Sequence, residues 1–90
     1  MTDKRMELRH SINRLAEWER LALLAEDAWD QDPLNEDLEW AFNHYQDLRW
    51  HEFLFAAHLI YTIADGRLTE KESRSMARDK AARERFVEII

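Results

Sequence analysis

The sequence predicts an all-α protein, an antiparallel three-helix arrangement over about residues 3–29, 33–64 and 70–88 that assembles as a homo-oligomer. Three observations carry this reading. The chain has one Gly and one Pro in 90 residues, far below the usual ~7% and ~5%, whereas sheets and loop-rich folds need more turn residues. Apolar residues recur at helical spacing over long stretches. Strong turn signals interrupt that pattern twice, at Asp30-Gln-Asp-Pro33 and at Asp65-Gly66. Ninety residues make one domain spanning the whole chain.

The first helix is read from about Asp3 to Trp29. Leu8, Ile12, Leu15, Trp18, Ala22, Ala25 and Trp29 fall on one broad arc, a core-facing stripe. Asp32 is a suitable N-cap for the second helix, and Pro33 suits its first position, where no amide donor is needed. That helix runs to about Ala64 and stops at Gly66, a residue that accepts the left-handed conformation. Thr69-Glu-Lys-Glu72 is a capping box, so a third helix is expected from Glu70 towards Val87. Short connections make neighbouring helices antiparallel. In the first hairpin, facing residue numbers should sum to about 63.

Within the second helix, Phe53-Leu-Phe-Ala-Ala-His-Leu-Ile-Tyr61 is apolar on every side. The third helix is too short to flank the whole of the second, so self-association is expected through Phe53, Phe55, His58 and Leu59. His58, surrounded by apolar neighbours, is expected to be buried and therefore to need a hydrogen-bond partner.

The composition excludes several function classes. The chain has no cysteine, which removes disulfides, thiolate catalysis and Cys-based zinc sites. Its N-terminus lacks the apolar core of a signal peptide, and no apolar run approaches the ~20 residues of a membrane span. A soluble, cytoplasmic protein is expected. A net charge of −6 opposes the phosphate term that dominates nucleic-acid affinity. No catalytic or nucleotide-binding motif is present, so no enzyme activity and no cofactor are expected.

Charge is unevenly spread. Eight acids and no Lys or Arg lie between Glu26 and Asp47, whereas Arg67 to Arg85 holds seven bases against four acids. Acids favour helix N-termini, but eight exceed what the first turn of the second helix requires. Asp30, Asp32, Glu36, Asp37 and Glu39, with Trp40 among them, form a candidate docking surface for a basic protein. A nucleic-acid-handling protein, whose groove normally holds phosphates, is the expected class of partner. Size and composition suit a small inhibitor of the kind encoded by phages or mobile elements.

An alternative reading is a ligand- or metal-binding bundle. His44, His51 and His58 are spaced by seven, Asp47 lies between the first two, and the hairpin register sets Glu19 opposite His44. A Glu19/His44/Asp47/His51 cluster has the imidazole and carboxylate ligands that Zn²⁺ or Fe²⁺ takes in bundle interiors. The paired Glu-x-x-His motifs of di-iron bundles are missing. The nine residues Ala64-Asp-Gly-Arg-Leu-Thr-Glu-Lys-Glu72 resemble the helix-linking turn of tellurite-resistance TerB-like helical domains. That resemblance implies a helix–turn–helix here and carries no activity with it.

Overall fold

The computed structural model describes residues 3–90 and contains four helices, α1 (Lys4–Gln31), α2 (Glu36–Ala64), α3 (Glu70–Arg78) and α4 (Lys80–Ile89). No strand occurs among the described residues. The all-helical class therefore stands, and the third expected helix is two helices. Asp3 caps α1, its side chain accepting from the Arg5 amide at 2.9 Å.

The turn between α1 and α2 sits slightly later than the capping signals suggested. Asp32 ends α1, its amide bonding the Trp29 carbonyl, and Asn35 rather than Asp32 caps α2. One Asn35 oxygen accepts from the amides of both Asp37 and Leu38, at 3.0 and 3.3 Å. At the far end of α2, Asp65 and Gly66 both have positive φ, 49° and 88°. Two left-handed residues in a row reverse the chain sharply, and Thr69 and Glu72 then close the expected capping box on α3.

Asp79 breaks the third expected helix. Its backbone is extended, and its side chain accepts from the Ala81 and Ala82 amides, at 3.0 and 3.4 Å. An aspartate is a weak helix former but a strong N-cap, so this position favours starting a new helix over continuing the old one. The bend brings α4 against α1. Arg83, 1% exposed, then donates to the Ala77 carbonyl and to Glu19, both at 3.0 Å. These bonds tie the C-terminal helix to both its neighbours.

The core lies at one end of the α1–α2 hairpin. Leu8, Ile12 and Leu15 from α1 meet Phe53, Ala56, Ala57, Leu59 and Ile60 from α2, with Ala77 from α3. Met76, Phe86, Val87 and Ile90 close over them. Beside this body, Glu52 grips α1 twice, accepting from Ser11 at 2.7 Å and from both nitrogens of an Arg14 fork at 2.6 and 3.2 Å. The molecule is elongated, 48 × 26 × 18 Å, because the hairpin continues beyond the body as a two-helix arm.

Candidate functional site

The arm consists of the second half of α1 and the first half of α2, held together along a single seam. Ala22 and Ala25 are its buried residues; their small side chains let the two helices approach closely. Trp18 stacks on Tyr45 with ring centroids 6.4 Å apart, and Trp29 packs on Phe42 at 5.6 Å. Residues 18 and 45 sum to 63, as do Ser11 and Glu52, which matches the expected hairpin register. At the tip the Trp29 indole donates to the Pro33 carbonyl at 3.3 Å, securing the turn.

All eight acids between Glu26 and Asp47 are exposed, and among the described residues none of them is in an ion pair. Asp30, Asp32, Glu36, Asp37 and Glu39 surround the tip. Trp40, 66% exposed, lies one turn beyond Glu36 and stacks flat on His44 at 4.9 Å. Three leucines absent from the sequence-based surface join this region. Leu34 stands at the tip, 92% exposed, and Leu23 and Leu24 stand on the outer side of α1. Leu23 and Leu24 lie off the apolar arc of α1, and Leu34 follows the turn proline; those positions were the available signal. The tip can therefore offer a partner unpaired negative charge together with uncovered apolar side chains.

The residues expected at the self-association surface divide into two sets. Phe53 and Leu59 are buried in the chain's own core, whereas Phe55 and His58 face outwards. The structure corrects the expectation of a buried His58, which is exposed. The physical reason is that α1 and α3 pack on only one half of the segment. Leu54, Phe55, His58 and Tyr61 form the uncovered half.

Glu19, His44, Asp47 and His51 are not brought together. The register does place Glu19 and His44 at the same level, but the two helices turn these side chains to opposite sides. Glu19 points towards α4, where it binds Arg83, and His44 lies on the outer face with Trp40. The His51 ring bonds the Asp47 carbonyl of its own helix at 2.8 Å, leaving the Asp47 carboxylate exposed. Among the described residues no three His, Asp or Glu side chains converge as a metal site would require. Composition had no means of assigning the Glu19–Arg83 pair, since its members are 64 residues apart. No helix is long and apolar enough to cross a membrane among the described residues. Comparisons with protein-family models, with curated proteins and with solved structures gave no match to this chain.

Proposed function

We propose that this chain is a non-enzymatic interaction protein whose acidic arm docks on a basic protein surface and thereby modulates a larger partner. The observation that carries this reading is the arm itself. Eight exposed acids, none in an ion pair among the described residues, surround an exposed tryptophan on a projecting two-helix hairpin. Long-range attraction from such a surface speeds encounter with a basic partner. Trp40, with the neighbouring leucines, supplies the apolar anchor that slows release.

A groove that binds nucleic-acid phosphates is the complementary class of surface, because its spaced cations match the arm's spaced carboxylates. An arm seated there excludes the nucleic acid, which makes inhibition the simplest consequence of binding. The chain also self-associates in this reading, through the outer half of the apolar segment of α2.

The test is affinity capture from the native host, comparing the natural chain with a variant carrying Asp30→Asn, Asp32→Asn, Glu36→Gln and Asp37→Asn. The natural chain should retain a basic protein that duplex DNA competes away, and the variant should lose it while staying helical by circular dichroism. Rising salt should weaken capture as it screens charges over about 8–10 Å. If the neutralised variant captures the same protein equally well, the acidic surface is not the docking site.

A further inference from the structure

The outer face of α2 carries a second pattern that the fold leaves uncovered. His44, His51 and His58 alternate with Trp40, Asp47, Leu54 and Tyr61 in steps of four and three, over three consecutive heptads. All seven side chains are exposed. An apolar seam repeating every 3.5 residues is the spacing by which one helix packs along another in a coiled coil. Here the seam is formed mainly by aromatic rings, and it extends about 32 Å at 1.5 Å per residue. Among the described residues no helix packs along it, and only Glu70 and Arg74 of α3 border its His58–Tyr61 end.

We infer that the occupant of this seam is a second copy of the chain, packed antiparallel along α2. The inference rests on the reading of the arm as an acidic docking surface, and it places α3 of the second copy along part of that arm, where it competes with a heterologous basic partner. Charge decides the direction. At the arm end the seam is flanked by Glu36, Asp37 and Glu39, all exposed and without an ion-pair partner among the described residues. At the body end Arg74 and Glu70 share a shallow pocket with His58 and Tyr61, and the Arg78 guanidinium sits over the Phe53 ring at 5.8 Å. Lys71, Arg74 and Arg78 are likewise exposed and outside any ion pair among the described residues, and they outnumber the two exposed acids of α3, Glu70 and Glu72.

A parallel pair would set the acids of one arm against the same acids of the other. An antiparallel pair sets each acidic arm along the other copy's basic α3. The seam is also symmetric about its middle. Trp40 and Tyr61 lie equally far from the point between Trp50 and His51, so each end aromatic meets its counterpart, and His51 meets His51 near the two-fold axis. One patch is then complementary to itself, as a two-fold dimer requires.

The chain's lack of cysteine makes the test direct. Sedimentation of the natural chain at micromolar concentration should give a dimer. Single substitutions His44→Cys, His51→Cys and His58→Cys, all at exposed positions, are then oxidised. The His51→Cys chain should cross-link to itself, whereas His44→Cys and His58→Cys should link efficiently only when mixed with each other. Arg74→Glu should weaken dimerisation by about tenfold or more through like-charge contact, and adding Glu36→Arg should restore it. A monomer overturns the dimer, and self-linking by both outer positions overturns its antiparallel direction. Neither result touches the proposed docking on a basic heterologous protein, which the capture experiment decides separately.

Discussion

The same two helices are a core at one end of this molecule and a bare hairpin at the other. Near the body, Leu8, Leu15 and Ile60 are 0%, 1% and 0% exposed, whereas on the arm Leu23 and Leu24 are 60% and 54% exposed. Composition does not account for the difference, since both stretches are rich in leucine and aromatic residues. What differs is the number of neighbours. In the body α3 and α4 cover faces of α1 and α2 that on the arm remain open. Stability should therefore be concentrated in the body, leaving the arm free to be shaped by what it meets.

The largest expected effect comes from the Arg83–Glu19 pair, which holds α4 to the hairpin. Glu19→Ala would leave the buried guanidinium without its carboxylate, and loss of one partner of a buried pair costs about 3–5 kcal/mol. Glu19 is partly exposed, so the lower end of that range is expected, read from urea unfolding. Loss of α4 helicity alone, with global stability intact, would show that the body does not depend on this tie. Leu15→Ala should follow closely, at about 2–5 kcal/mol for a core leucine. If Leu23→Ala on the arm cost as much, the contrast between the two ends would fail; a change within about 0.5 kcal/mol is expected there.

Thr69→Ala should cost about 1 kcal/mol by removing a helix cap at the entry to α3. Hydrogen bonds from Thr69, the backbone amide first and then the side chain, hold the Glu72 carboxyl below its ordinary value of 4.5. Its folded pKa is depressed, so its share of the cap is present above the ordinary glutamate value. That share fades as the pH falls through the lower folded value, and Glu72→Gln should flatten this acid limb of the stability curve. The smallest effect concerns dynamics alone. Amides of residues 18–30 and 37–48 should exchange faster with solvent than those of residues 53–60, since sparse burial lowers the cost of local opening. Uniform protection along α2 in the free chain at high dilution would remove the distinction between arm and body.

Much of this architecture is written locally. The all-helical class follows from the scarcity of Gly and Pro, the start of α3 from the Thr69–Glu72 box, and the end of α2 from the Asp65-Gly66 reversal. The hairpin register follows from a short connection, and Trp18 meets Tyr45 where that register places them. Each of these depends on residues close in sequence, whose preferences act whatever the rest of the chain does. Other features depend on elements meeting across space. Asp79 is read equally well as a residue of a continuing helix or as a cap, and the contact of α4 with α1 accompanies its choice of cap. Periodicity marks Phe53–Tyr61 as apolar all round, yet only the placement of α1 and α3 determines that Phe53 and Leu59 are covered while Phe55 and His58 are not. Glu19 likewise has two plausible directions from its helix, and the buried charge of Arg83 selects between them, because a guanidinium taken out of water requires a carboxylate beside it.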